Sequence, residues 1–335
     1  TTPWEVVMDL DDIKSKLNLE YFRQSPPSIL KYLPLLPIKN QADFITLRES
    51  ATPLSKAKKL GRSFGVDLML KVEGKNPTGS FKDRGTAVEI SVAKEMGAKA
   101  IILASTGNMA ASCACYASAA GIPCFILVPE GVPPGKLSQV LAFGGHIVQV
   151  KGTYNDAADL AYKIASEMGF YLAGDYAYRL EGAKTAAFEI IDQMLFQVPD
   201  HLVVPIGCGT NIGGYYKGFM DYYKLGLIDR LPRIIGVQAE GARAVVNSFK
   251  QKKNEIEILP TINTLASAIA VANPIDGLKA LEAINSTNGY AVAVTDNEIL
   301  AAQHLLAKEE GVFAESSAAA TIAGLQKLIA QGKIE

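Results

Sequence analysis

From about residue 66 the chain alternates short apolar runs with stretches of helical periodicity, the pattern of a parallel sheet flanked by helices. The runs at 67–73, 100–105, 124–129, 146–150, 201–206 and 233–238 predict strands. Several of them, such as CFILVP at 124–129, are apolar throughout and have no polar face, so they should be covered on both sides. Helices are predicted near 82–97, 108–120, 136–144, 155–168, 181–197, 212–225 and 297–310. The fold class is α/β. No Gly/Ser- or Pro-rich linker and no internal repeat divides the 335 residues, so two lobes have to interleave along the chain.

A content of 49% hydrophobic and 20% charged residues fits a folded globular chain. The formal net charge of −1 leaves no electrostatic footprint for nucleic acid or an anionic membrane. No apolar run reaches spanning length and no signal peptide opens the sequence, so a cytoplasmic protein is expected. Four cysteines in a chain this long make no disulfide framework, and Cys113, Cys115 and Cys124 read as small buried hydrophobes. The histidines His146, His201 and His304 are scattered without ligand spacing, so no metal site is expected. The charge run KQKKNEIEI at 250–258 reads as an exposed loop or helix end.

Three segments change this picture. In NPTGSFKDRG, 76–85, Ser80 and Asp83 form a capping-box pattern, and Ala87, Ile90 and Ala93 follow at helical spacing, which places Lys82 in the first turn of a helix. A cation there opposes the positive end of the helix dipole; the neutral amine, which a Schiff-base lysine needs, does not. A solvated helix-start lysine is the bland alternative. The glycine loop PIGCGTNIGG, 205–214, lies between a predicted strand and a helix and offers backbone N–H groups to an anion; it lacks the GK[ST] of a nucleotide P-loop and the GxGxxG of a dinucleotide site. In ASTGNMAAS, 104–112, Ser105, Thr106 and the Gly107 backbone could hold a carboxylate at a helix start, and Asn108 could donate to a phenolate-like oxygen; a simple helix cap is the alternative. Together these match pyridoxal phosphate acting on an amino acid, with the three turns opening on one sheet edge.

The same segments, with YRLEGAKTAAFEI at 178–190, LASAIAVANP at 265–274 and VTDNEILAAQHLLAKEEGVFAESSAAA at 294–320, resemble the threonine synthases. These belong to the fold type II pyridoxal phosphate enzymes, with the tryptophan synthase β chain and threonine dehydratase. The likeness runs over nearly the whole chain. It implies two interleaved three-layer lobes, 1–80 with 180–335 as the large cofactor-binding lobe and 81–179 as a small mobile one. It implies that Lys82 carries the cofactor with Phe81 beside it, that Asn108 contacts the cofactor's O3′, and that Gly207, Cys208, Gly209, Thr210 and Asn211 cradle its phosphate. Ser105, Thr106 and Gly107 would hold the substrate carboxylate, and Arg179 the substrate phosphate. The implied reaction converts O-phospho-L-homoserine and water to L-threonine and phosphate, in a cytoplasmic homodimer.

The chain departs from the family pattern at named places. Met109 stands where a threonine or serine is usual, the segment AGDYAYR is one residue short and brings in Asp175, and Cys208 and Thr210 replace an asparagine and a glycine. An acid beside a phosphate pocket repels an anionic substrate. The sequence stops at GKIE, ahead of the family's LTGxGLK motif, whose hydroxyl faces the pyridine nitrogen; Ser316 and Ser317 are the other hydroxyls considered for that place. Two further readings therefore stand beside the first. One is β-elimination or β-replacement on serine, threonine or phosphoserine, favoured by Met109 and AGDYAYR; the other is a non-catalytic protein that binds the cofactor or an amino acid.

Overall fold

The computed structural model describes residues 4–174 and 176–334. The strands are β1 Leu54–Lys56, β2 Met69–Lys71, β3 Ile101–Ala104, β4 Cys124–Pro129, β5 His146–Val150, β6 Tyr171–Leu172, β7 His201–Pro205, β8 Arg233–Ala239 and β9 Tyr290–Val294. They form an antiparallel pair β1-β2, a parallel sheet ordered β5-β4-β3-β6, and a parallel sheet ordered β7-β8-β9. All six strands predicted from the apolar runs are present. β1, β6 and β9 were not predicted; β1 and β6 span only three and two residues, too short to show a period.

The chain divides into two compact units, Thr1–Thr52 with Glu73–Thr185 and Pro53–Val72 with Ala186–Glu335. They interleave as expected, but the division runs differently from the lobes expected from the family. Residues up to 52, from 73 to 80 and from 180 to 185 go with the first unit. Their packing explains it: Ile29, Leu33, Leu36 and Phe44 join one core with Val88 and Ile90 and with Ile101, Leu103, Ile126 and Val128 of β3 and β4.

Alternate residues of those same strands, Ile102 and Leu127, face a second cluster with Ala157, Ala161 and Ala165 of the helix Tyr154–Met168. This two-sided burial is why CFILVP has no polar face. In the second unit Ile235, Val237 and Ala239 of β8 and Val292 and Val294 of β9 pack with Leu60, Ile299, Leu306, Ile322 and Leu328. The helix Ser316–Ala330 that supplies the last two was not predicted.

The stretch expected as one helix over 181–197 is two, Ala177–Ala183 and Thr185–Gln193, and at the break the Thr185 hydroxyl donates to the Gly182 carbonyl at 2.7 Å. The three chemistry-bearing turns do not open on one sheet edge. The strand before Lys82, β2, is antiparallel to β1, whereas β3 leads into the helix Asn108–Ala120 in the four-stranded sheet and β7 into Thr210–Lys224 in the three-stranded one.

Candidate active site

In the first unit Lys82 is the first residue of the helix Lys82–Glu95, as the spacing requires. The capping box does not form. Phe81 is the N-cap and makes no side-chain cap; Ser80 Oγ accepts from the Lys82 N–H at 3.3 Å. The Asp83 carboxyl group turns to Thr78 instead, accepting from its N–H at 2.8 Å and its hydroxyl at 2.6 Å, because Asp83 is wholly buried and those donors serve it there. Lys82 is half-buried, with Nζ 5.1 Å from the Phe81 ring centroid.

The helix is held from behind by charge. Arg84 is buried and donates from Nε and Nη2 to both Glu73 oxygens at 2.7 and 2.8 Å, and from Nη1 to Ser50 and Thr185. Such a bidentate pair fixes direction as well as distance. Ser112 of the Asn108 helix bridges Asp83 and Thr86 at 2.7 Å each, joining the two helices.

Gly107 is the N-cap of the Asn108 helix, with no side-chain cap, while Ser105 Oγ accepts from the Gly107 N–H at 3.4 Å just ahead of it. Ser105, Thr106 and Asn108 are half-buried and Gly107 is exposed. A helix start without a side-chain cap leaves backbone donors for an anion. Met109 packs against the apolar core of the unit, which accounts for an apolar residue at that position.

Arg179, expected to hold the substrate phosphate, is engaged in a buried network of its own unit. It is 2% exposed and paired with the fully buried Glu89, donates to Thr86 at 2.8 Å and to the Gly174 carbonyl at 2.9 Å, and approaches Cys113 Sγ at 3.3 Å. Glu89 also accepts from the Gly174 N–H at 3.0 Å. The guanidinium is neutralised within the unit. Glu89 was missed by sequence reasoning, although it is the one charge between Arg84 and Lys94 in a stretch otherwise apolar or small, a position that calls for a buried partner. Burial pushes the Cys113 thiol up to about 11 despite Arg179. Asp175, the acid expected near this arginine, lies outside the described residues.

In the second unit the glycine loop turns into the 15-residue helix Thr210–Lys224 through Gly209, whose φ is 101°. A Cβ at 209 would lie 2.4 Å from the Asp276 carbonyl oxygen, so only glycine fits. The Thr210 hydroxyl donates to Asp276 Oδ2 at 2.8 Å, the Asp276 N–H donates to the Cys208 carbonyl at 2.8 Å, and Lys279 pairs with Asp276 Oδ1 at 2.9 Å. Asp276, in NPIDG, therefore braces the loop and was also missed. Gly207, Cys208 and Asn211 are half-buried, and no side chain caps the helix. A braced, uncapped start of a long helix with glycines on its approach fits a phosphate. Ser317 Oγ accepts from the Ala268 N–H at 3.2 Å. Among the described residues no cluster of ligands could hold a metal, and no helix is long and apolar enough to cross a membrane.

Residues 45–335 match the family described as "Pyridoxal-phosphate dependent enzyme". The chain is 43% identical to the threonine synthase of Methanocaldococcus jannaschii over 334 residues, covering 99% of this chain and 82% of that one. It is 43% identical to the Mycobacterium tuberculosis threonine synthase over 310 residues, 92% of this chain and 84% of that one. Among solved structures it is similar to the processed form of threonine deaminase isoform 2 from Solanum lycopersicum, with a TM-score of 0.76, 25% identity and coverage of 100% and 88%. It is also similar to maize serine racemase, with a TM-score of 0.72, 26% identity and coverage of 82% and 80%.

Proposed function

The chain belongs to the pyridoxal-phosphate dependent enzymes and, among them, to the threonine synthases, and from that premise we propose the parts its own residues play. The activity is that of a carbon–oxygen lyase acting on phosphates: O-phospho-L-homoserine and water give L-threonine and phosphate. The observation that carries the reading is a likeness spanning nearly the whole chain, with Lys82 opening its helix as the motif requires.

When bound, pyridoxal phosphate supplies the electron sink for the pair left on the substrate's α carbon. Lys82 would carry the cofactor, and its amine Nζ would take the substrate's α and β protons and deliver protons to Cγ and Cα, as phosphate leaves Cγ and water adds at Cβ. Phe81 lies beside that amine. Asn108 donates its side-chain N–H to the cofactor's phenolic oxygen. Gly207, Cys208, Gly209, Thr210 and Asn211 hold the phosphate by backbone donors; the Thr210 hydroxyl already serves Asp276. Ser105, Thr106 and Gly107 orient the substrate carboxylate at the uncapped start of the Asn108 helix.

The burial of Arg179 against Glu89 favours a second reading of the substrate, serine, threonine or phosphoserine in β-elimination or β-replacement, since a neutralised guanidinium offers little to a γ-phosphate. A homodimer in the cytoplasm belongs to the same proposal and is read by sedimentation and by fractionation.

The test is release of phosphate and threonine from O-phospho-L-homoserine by the cofactor-loaded protein, with Lys82→Ala as control. Equal amounts of the two products, lost in the variant, support the reading. Turnover of phosphoserine alone, or α-proton exchange with serine or threonine in the absence of turnover, moves the substrate to the second reading, and cofactor binding without any α-proton exchange would leave a binding protein. Borohydride reduction and peptide mapping place the cofactor independently: its mass is expected on the peptide that contains Lys82.

A further inference from the structure

Three contacts run in series behind the first turn of the Lys82 helix. Ser112 Oγ lies 2.7 Å from Asp83 Oδ1 and 2.7 Å from Thr86 Oγ1, and Thr86 Oγ1 lies 2.9 Å from the Lys82 carbonyl oxygen. Asp83, Thr86 and Ser112 are all fully buried. Arg179 Nη1 donates to Thr86 Oγ1 at 2.8 Å, and Thr78 donates its N–H and hydroxyl to the two Asp83 oxygens.

The protons in this chain can be counted, because a hydroxyl has one proton and two lone pairs. The Lys82 carbonyl has no proton, so its contact needs the one on Thr86. Thr86 then accepts from Arg179 on one lone pair and has to accept from Ser112 on the other. That uses the Ser112 proton, and the remaining contact, Ser112 to Asp83, is filled only if the carboxyl supplies a proton. With an ionised Asp83 one of the three contacts sets oxygen lone pairs face to face in a buried place, where an unmade hydrogen bond costs most.

We propose that Asp83 is held as a neutral carboxylic acid and acts, through Ser112 and Thr86, as the positioning residue for the Lys82 backbone; the second half rests on Lys82 being the cofactor-bearing residue. The surroundings agree. Burial pushes the Asp83 carboxyl up and the neighbouring Glu73 adds to this, against the pull of Thr78 and Ser112. Arg84 answers to Glu73 and Arg179 to Glu89. From the Asn108 helix Asp83 meets Cys115, whose thiol burial pushes up to about 11, and Tyr116, whose phenol burial also raises, so both are neutral there.

Infrared difference spectroscopy on the cofactor-loaded protein carrying carbon-13 aspartate reads the proton directly. A protonated-carboxyl band at neutral pH, removed by Asp83→Asn, is the expected result; no such band, or one that Asp83→Asn leaves in place, overturns the neutral form. For positioning, Ser112→Ala is expected to lower kcat about tenfold with KM little changed, and Asp83→Asn, which keeps a donor towards Ser112, to retain about tenfold more kcat than Asp83→Ala. Unchanged kcat in Ser112→Ala overturns it. If Asp83→Asn does not fold, Ser112→Ala decides the proton instead: the band is expected to shift there, and a band that stays put counts against Asp83. Retention of covalently bound cofactor by Lys82→Ala would overturn the Lys82 reading alone, since the infrared band does not depend on it.

Discussion

Gly182 packs so closely on Arg84 that a Cβ at 182 would lie 2.0 Å from the Arg84 carbonyl oxygen. From the other side Gly85 meets Arg179, where a Cβ would lie 2.5 Å from its Cγ. The two helices cross backbone to backbone, and this brings Arg179 within reach of Thr86 and Glu89. Gly182→Ala has to push the helices apart and is expected to destabilise the protein by about 3 kcal/mol. Thermal unfolding checks it, and an unchanged Tm would mean that the contact yields easily.

Glu89 is the counter-charge of a guanidinium that has no water to turn to. Glu89→Ala leaves that charge buried and uncompensated, at a cost of about 3–5 kcal/mol. Denaturant unfolding measures this. A loss below about 1 kcal/mol would show that Arg179 finds solvent or another partner.

Gly209→Ala forces a left-handed backbone on a residue with a Cβ and drives that Cβ against Asp276. Cofactor affinity is expected to fall about tenfold, equivalent to about 1.4 kcal/mol. Fluorescence titration with pyridoxal phosphate reads it, and equal affinity in the variant would remove the loop from the phosphate site.

Alkylation separates the four cysteines. Burial raises the thiols of Cys113 and Cys115 to about 11 and that of Cys124 further, while Cys208 is half-buried in the glycine loop. Iodoacetamide is expected to label Cys208 first, and the bound cofactor to slow that labelling. Peptide mass mapping with and without cofactor shows both; labelling that ignores the cofactor would contradict its place on the loop.

Glu298 gives an acid-side dependence. Burial works to raise its carboxyl, but the Thr295 N–H and hydroxyl and the Lys327 ammonium outweigh it and hold it below the usual range. A depressed folded value means stability that is present above the unfolded value of about 4.3 and is lost as pH falls through the folded one. The gap in Tm between the wild type and Glu298→Gln should therefore be steady near neutrality and close below about pH 4. A gap that widens on acidification would reverse the sign.

Local chemistry was the legible part of this sequence. The strands Cys124–Pro129 and His146–Val150 and the helix Asn108–Ala120 fall where the apolar runs and their period place them, and in Cys124–Pro129 burial on both faces removes every polar residue that could blur the pattern. Lys82, Asn108 and Gly209 each open or cap a helix, and the residues that do so lie side by side in sequence. The supports were hidden by distance. Asp83 was read as part of a cap with Ser80, whereas it is satisfied by Thr78 and by Ser112, 29 residues on. Arg179 was expected to hold the substrate phosphate, and its buried partner Glu89, 90 residues away, went unseen. Asp276 reaches Thr210 over 66 residues. Such pairings leave no local period to read.

The insertion of Pro53–Val72 into the numbering of the first unit has a consequence for synthesis on the ribosome. The N–H groups of Lys59 and Leu60 are received by Glu310, about 250 residues later. At roughly 5–20 residues per second, this hairpin waits some tens of seconds before the helix that will receive it exists. The first unit can close its own core in that interval, since its last residue is Thr185. A nascent chain stalled between 185 and 310 should thus display a folded first unit and a tethered, sticky hairpin projecting from its middle. Its protease sensitivity should end only once the helix Ser316–Ala330, whose Ile322 and Leu328 share a core with Leu60, has emerged as well.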